Sequence, residues 1–490
     1  MPREPNATLV SVALDPGAAP ALYVQLFEQA RDLILAGRLK PRQRLPSTRA
    51  LAQDLGVSRT TTLAAYEQLM SEGYIEGRAG SGIYVASELP EDLLSARGRA
   101  SDPSTSPHLP GPAPQPDIPL RTGMAFDGGM PETRGFPFAE WSRQLGRSWR
   151  NPSQDMLHVV DPAGHLPLRQ AIADYLEDMR GLDCVPEQIF ITASAAQSIA
   201  LVARTLLGAG DKVLVEDPCY PAARRALVDA GADVAAVPVD ADGFAPERIP
   251  GPALDARAAF VTPSRHYPLG MTMPLARRLD LLNWAERARG WIIEDDYDSE
   301  YRYVGRPLSA LMSLDRSNRV IYLGSFSKIM FRSLRLGYVV APTVLVPDIR
   351  ATLDGFGPTA SALAQPALAG FMASGHLAAH IRRMRRLYAD RQQALTRALE
   401  TTLADFLTAP RQNAGMHVPA YFTEALAAKI SDVDAAQAAA DAGIVVSPLS
   451  VHYVSAPARQ GFLMGFTGFD EEEIAAGAER LAAVLRDIAT

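Results

Sequence analysis

One stretch constrains what the rest of this chain can fold into more than any other. Residues 87–120 hold eight prolines and no phenylalanine, tyrosine or tryptophan. Such a segment cannot bury enough apolar surface to offset the entropy of ordering it. It is expected to be a linker, and a flexible chain of that length reaches roughly 30 Å, further where proline stiffens it. The 490-residue chain is therefore read as three zones: a compact domain over 1–86, a Pro/Ser-rich linker over 87–120, and a large domain over 121–490.

Charge divides along the same line. The net charge is −7, yet residues 1–86 carry nine Lys/Arg against eight Asp/Glu, so the deficit lies wholly in the remainder. Arg38, Lys40, Arg42, Arg44 and Arg49 follow one another with no acid among them. A local cluster of that kind suits phosphates whatever the overall charge. No apolar run approaches the ~20 residues of a membrane span. No basic start followed by an apolar stretch marks a secretory signal. The only cysteines, Cys184 and Cys219, lack metal-ligand spacing, so no metal is expected and a reduced, cytoplasmic setting is.

The first zone opens with a helical pattern over 21–36, with Leu22, Val24, Leu26, Ala30, Leu33 and Leu35 as its apolar positions. Ser47 is placed to cap a helix containing Leu51 and Leu55, and Gly56 to end it in a tight turn. Ser58 then caps a second helix from Arg59 to about Ser71, with Ala64, Leu69 and Met70 turned inward. Arg59, Thr60 and Thr61 stand at its exposed start. Residues 73–85 read as a hairpin with Gly80, Ser81 and Gly82 at its tip. The stretch from Gly37 through Leu45, Pro46, Ser47, Arg49 and Leu51 to Ala52 resembles the GntR-family winged helix-turn-helix, with Arg42 where a glycine is usual. The resemblance implies double-stranded DNA as a partner. It assigns the contacts to Arg49, Ser58, Arg59, Thr60 and Thr61 and to a wing around Gly80. The start of the second helix would enter the major groove, where arginine pairs with guanine and threonine meets a phosphate or a thymine methyl.

In the large zone, short apolar strands (213–216, 259–262, 291–295, 320–325) alternate with helical patterns such as 275–287. That alternation predicts an α/β domain with a mostly parallel sheet and helices on both faces. Four of its segments carry chemistry. Lys328 follows a buried strand, with Ser325 before it and Arg335 after, a reactive amine between a hydroxyl and a permanent cation. Asp295 stands at the end of an apolar strand, where α/β sheets place ligands, and Tyr297 lies two residues on. Ala196 and Gln197 open a helix of small residues, whose backbone N–H groups can cradle a phosphate. Tyr220 follows another strand and offers a ring for stacking.

In this order and at this spacing the four segments resemble fold-type I aminotransferases, and within that class the MocR/GabR regulators. Phe126–Pro131, Phe136-Pro137, Trp141, Asp161–Gly164 and Leu168-Arg169 resemble the opening of the same domain. The resemblance implies a pyridoxal 5′-phosphate cofactor and a smaller C-terminal α+β subdomain. It puts the Schiff base on Lys328, the pyridine-nitrogen partner on Asp295 and the phenolic-oxygen partner on Tyr297. Phosphate binding falls to Ala196, Gln197, Ser325 and Arg335, and stacking to Tyr220. Two departures favour regulator over enzyme. Tyr267-Pro268-Leu269-Gly270 stands where aminotransferases carry an asparagine, and Gly461–Phe466 lacks their carboxylate-binding arginine, with Arg459 and Arg265 the nearest candidates. Arg224 also sits further from Tyr220 than the arginine of the GabR type. The expected protein is a homodimeric transcriptional regulator that senses a small amine or amino-acid-like effector, or the cofactor itself. The alternative is an active aminotransferase with a regulatory N-terminal module.

Overall fold

The computed structural model describes residues 12–78, 82–87, 89, 125–158, 161–305, 308–356 and 360–489. Gly80, the expected wing tip, and nearly all of the 87–120 segment lie outside these residues. The chain divides into two compact units, Met1–Asp117 and Ile118–Thr490.

The first unit holds helices α1 (Leu22–Leu35), α2 (Thr48–Asp54) and α3 (Arg59–Ser71) and an antiparallel hairpin of β1 (Ile75–Arg78) and β2 (Gly82–Val85). Its core gathers Leu26, Ala30 and Ile34 of α1, Leu51 of α2, Ala65, Tyr66 and Leu69 of α3, and Ile75 and Val85 of the hairpin. Positions 26, 30 and 34 share one helix face, so Leu35, one residue further round, is exposed. The same rotation corrects the expectation for α3. Leu69 faces inward, but Met70 is exposed and Ala64 only half-buried, because Ala65 and Tyr66 take the inner face. Two polar groups fix that rotation: Thr62 Oγ1 donates to the Thr48 carbonyl (2.9 Å) and Tyr66 OH to that of Pro46 (3.1 Å). Both tie α3 to the start of α2.

The second unit is built on a seven-stranded sheet of order β3-β9-β8-β7-β6-β4-β5. Its strands are β3 (Ile189–Thr192), β4 (Lys212–Asp217), β5 (Asp233–Pro238), β6 (Ala258–Val261), β7 (Trp291–Asp296), β8 (Val320–Ser325) and β9 (Gly337–Val340). Strands β5, β4, β6, β7 and β8 pair in parallel, and β9 runs antiparallel to both β8 and β3. The parallel strands read as near-continuous apolar runs because both faces are covered. Helices α4 (Phe138–Arg150) and α5 (Leu166–Arg180) precede the sheet in the chain; Val213 and Val215 pack on one face with α6 (Ala195–Leu206) and α7 (Pro221–Asp229), whereas Leu214 and Ile292 pack on the other with α8 (Leu275–Ala288).

A smaller antiparallel sheet follows, of order β10-β11-β13-β12, from β10 (Leu407–Thr408), β11 (His417–Phe422), β12 (Ser447–Pro448) and β13 (Gly461–Gly465). It shares one apolar core with helices α9 (His376–Thr401), α10 (Asp432–Asp441) and α11 (Glu471–Ala489). This is the α+β subdomain expected at the C-terminus. Among the described residues no helix is long and apolar enough to cross a membrane.

Candidate functional site

Parallel strands deliver their C-terminal ends to one edge of the large sheet, where ligands of open α/β folds bind. Asp295 and Asp296 end β7 and point to opposite faces, as successive strand residues must. Asp296 is partnered: Arg180 Nε approaches it at 2.8 Å, Tyr322 OH donates to it at 2.5 Å and Ser299 Oγ at 2.9 Å. Asp295 is equally buried, yet no described group donates a hydrogen bond to its carboxylate. Burial, with Asp296 and Asp298 nearby, pushes its carboxyl up to about 7.

Lys328 follows β8, the neighbouring strand. Its Nζ donates to the Gly129 carbonyl at 3.0 Å. Burial, aided by the Arg332 cation, pushes its amine down to about 8. Arg332 grips both oxygens of Asp127 (3.2 Å each) and donates to the Gly128 carbonyl (2.8 Å), holding that segment over the lysine. Gly129 has φ +69°, and a Cβ there would overlap Lys328 Nζ. A side chain at 129 would thus strain the backbone and push the end of the lysine aside.

Tyr297 OH accepts a hydrogen bond from Arg265 Nη1 at 2.9 Å. Arg265 is buried and also binds Asp298 (3.3 Å), His417 Nε2 (2.8 Å) and the His417 carbonyl (2.7 Å). It orients Tyr297 and is not free for an incoming carboxylate. Arg459, the other candidate for that role, is exposed with its guanidinium 3.5 Å from the Tyr421 ring centroid. Tyr267 stands at the centre of an aromatic cluster, edge-on to Tyr220 (5.4 Å), Tyr297 (5.6 Å), His417 (5.6 Å) and His452 (5.3 Å).

At the start of α6, Ser194 Oγ takes the Gln197 N–H (3.2 Å), and Gln197 Oε1 folds back onto the Ala193 N–H (2.6 Å). The Gln197 backbone donor is therefore spent within the helix, whereas no described acceptor takes the Ala196 N–H. Ser325 Oγ accepts the Ser327 N–H at 3.2 Å. Arg335 is exposed, holds φ +54° and has no described partner. A non-glycine residue in that left-handed region is strained.

In the first unit, Ser58 caps α3 by accepting the Thr61 N–H (3.1 Å), and its hydroxyl also meets Thr61 Oγ1 (2.8 Å). Ser47 caps α2 in the same way, accepting the Ala50 N–H at 3.2 Å. Arg49, Arg59 and Thr60 are exposed. Arg42 takes φ +63° where the resembling family carries glycine, and its N–H closes onto the Val85 carbonyl (3.0 Å).

Comparison with known proteins matches residues 22–85 to the bacterial regulatory proteins of the gntR family, and residues 132–481 to aminotransferase class I and II. The probable rhizopine catabolism regulatory protein MocR of Rhizobium meliloti is 42% identical over 96% of this chain and 95% of its own length. This chain belongs to the MocR-type, GntR-family transcriptional regulators. The pyridoxine biosynthesis regulator PdxR of Corynebacterium glutamicum is 35% identical over 94% of this chain and 96% of its own. Among solved structures, the Pyrococcus horikoshii kynurenine aminotransferase superposes with a TM-score of 0.67 and 26% identity, covering 74% of this chain and 91% of that one. The family membership accounts for the coexistence of a winged helix and an aminotransferase fold. It leaves the role of each side chain to geometry.

Four groups at this site carried no sequence signal strong enough to assign them. The Arg332–Asp127 fork joins residues 205 apart. Asp217, at the end of β4, accepts from Val454 N (2.8 Å), Ser455 N (2.8 Å), Ala456 N (2.6 Å) and Ser455 Oγ (3.0 Å). His417 and His452 come from the C-terminal subdomain. Only Gly129 had a local hint, in the Asp127-Gly128-Gly129 run.

Proposed function

We propose that this regulator holds pyridoxal 5′-phosphate covalently on Lys328 and uses it to sense a small amine, passing the result to DNA through the N-terminal winged helix. The observation that carries this reading is the pairing of two ends of adjacent strands. Lys328 has an amine brought down to about 8, and Asp295 has a buried carboxylate without a donor. The residues fit the group. Asp295 would take the protonated pyridine nitrogen, and Tyr297, steadied by Arg265, the phenolic oxygen. The Ala196 N–H, Ser325 and Arg335 would take the phosphate, with Gln197 shaping that turn, and Tyr220 would lie against the ring. Bound, the cofactor supplies an aldehyde that exchanges one amine for another and a chromophore that reports it.

The chain's own contribution is to keep Lys328 neutral in a useful fraction of molecules, to exclude water under residues 127–129, and to hold Asp295 ready to share a proton with the ring nitrogen. With Arg265 committed to Tyr297 and Asp298, turnover of an α-amino acid is not part of the proposal. On the DNA side, Arg59 reads base edges, Thr60 and Thr61 contact backbone or a thymine methyl, and Ser58 secures the helix start. Arg49 and the wing around Gly80 anchor the phosphates. Two copies in a homodimer would address two half-sites.

Borohydride reduction of purified protein, followed by intact-mass measurement, tests the covalent link. Wild type should gain the mass of one reduced cofactor and Lys328→Ala should not. Gel shifts on the upstream intergenic DNA should show Lys328→Ala binding like wild type and the Arg49→Ala, Arg59→Ala double variant failing. Retention of the reduced adduct in Lys328→Ala would overturn the assignment.

A further inference from the structure

Helix α3 turns its outer face to solvent through a rotation that the core dictates. Thr62 donates to the Thr48 carbonyl and Tyr66 to that of Pro46, while Ala65 and Leu69 join the core. Among residues 59–65 the exposed side chains are those of Arg59, Thr60 and Leu63. Ser58 and Thr61 are engaged with each other at the cap, their hydroxyls 2.8 Å apart. Leu63 follows Arg59 by four residues and Thr60 by three, so the three share one helix face. At 3.6 residues per turn it stands about 40° round from the arginine and about 60° from the threonine. It is 42% exposed. An exposed leucine is ordinary in itself. This one is set apart by its neighbours, a cation and a hydroxyl at the start of the helix that a DNA groove takes first.

The same unit exposes Arg42, Arg44 and Arg49, cations that suit a phosphate backbone. With Arg59 and Thr60 seated in the major groove, Leu63 is carried in beside them and loses its water. Its side chain has no donor and no acceptor. A base edge that turns an amino group or an oxygen toward it is left unpaired there, which costs free energy. The major groove carries one apolar feature, the 5-methyl group of thymine. Among the four bases only thymine gives the leucine a group to bury against. Glu67, the next exposed residue along that face, is polar and accepts from a cytosine amino group, so it does not compete for a methyl.

We infer that Leu63 is a specificity-determining residue of the DNA interface, and that it selects thymine through the 5-methyl group. This rests on the DNA-binding reading above. Four residues advance a helix by about 6 Å and base pairs stack about 3.4 Å apart, so the selected thymine lies within about two base pairs of the guanine that Arg59 pairs with. The contact is apolar and neutralises no phosphate, so it leaves the salt dependence of binding where the arginines set it.

Full-length protein is used to select sites from a pool of randomised duplexes. The tightest-bound sequence is then remade with each thymine replaced in turn by deoxyuridine, which pairs alike but lacks the methyl. Wild type should bind one such duplex, or one per half-site, about fourfold more weakly, the effect of leaving one methyl group unburied. That thymine should lie within about two base pairs of the position at which Arg59→Ala loses its preference for guanine. Leu63→Ala should bind the thymine duplex about three- to tenfold more weakly and the deoxyuridine duplex within about twofold of it, at the wild-type salt slope. Leu63→Met, apolar and of similar volume, should keep the discrimination. Both variants should melt with the wild type, since the position lies on the surface. A wild-type chain indifferent to every methyl overturns the inference. So does a discrimination that survives undiminished in Leu63→Ala and therefore belongs to another group. A wild-type chain that selects no sequence overturns the DNA-binding reading itself, and this inference falls with it.

Discussion

The sharpest quantitative consequence of the site concerns the Lys328 amine. Only the neutral amine attacks an aldehyde. At pH 7 a group titrating near 8 is neutral in about one molecule in ten, whereas at the ordinary 10.5 it would be neutral in about one in three thousand. Cofactor capture by the apo-protein should therefore be about 300-fold faster at pH 7 than an unperturbed lysine allows. Its rate should climb with pH to a plateau with a midpoint near 8. Burial makes the largest contribution and the Arg332 cation the next. Arg332→Gln removes that cation and strands Asp127, whose charge acts in the opposite sense. Both changes favour the ammonium, so the midpoint should move alkaline, by up to about one pH unit, with capture at pH 7 slowed about two- to tenfold. Stopped-flow absorbance across pH 6–10 reads this directly. Above the variant's midpoint the two proteins should converge. A wild-type midpoint above 10 would refute the electrostatic account. A slowing that persists undiminished at pH 10 would mean that Arg332 acts by holding residues 127–129 and not through its charge.

Three further outcomes are expected. Gly129→Ala should lose at least tenfold in covalent capture, measured by hydride trapping, because its Cβ overlaps Lys328 Nζ and its left-handed backbone costs a further ~1–2 kcal/mol. Arg42→Gly should relieve about 1 kcal/mol of strain and raise the melting temperature of the first unit, while lowering the salt slope of DNA binding by about one; an unchanged slope would remove Arg42 from the phosphate contacts. Asp217→Ala strands three backbone amides and a hydroxyl, and should cost about 3 kcal/mol or more, seen as a lower urea midpoint at unchanged m.

Much of this architecture was legible before any coordinates. The four anticipated strands lie within a residue or two of β4, β6, β7 and β8, since both-face burial writes uninterrupted apolar runs. Caps were equally plain: Ser47 and Ser58 each accept the N–H three residues on. The inner face of α3 was not legible, because Thr62 and Tyr66 set its rotation through hydroxyls bound to backbone 14 and 20 residues away. At the lysine site, residues on strand ends could be found from local pattern. Those that orient or enclose them could not, because Arg265–His417 and Arg332–Asp127 span 152 and 205 residues and leave no periodic trace. Gln197 shows the converse limit: the sequence located its turn but could not reveal that its own amide is already spent on Ser194.

The Asp217 contacts bear on how the site can work as a gauge. One carboxylate at the end of β4 gathers three consecutive amides of residues 454–456. Those residues are carried by the C-terminal chain, but they are bolted to the large sheet. Were the small sheet to shift against the large one, the 450–456 turn would stay in the frame of β4, and the slack would be taken up on either side of it. His452 therefore keeps its distance from the strand ends that carry Asp295 and Lys328, however the rest of the subdomain moves. Whatever lay between that turn and Lys328 would be held at a fixed span, and any movement would be read elsewhere in the subdomain.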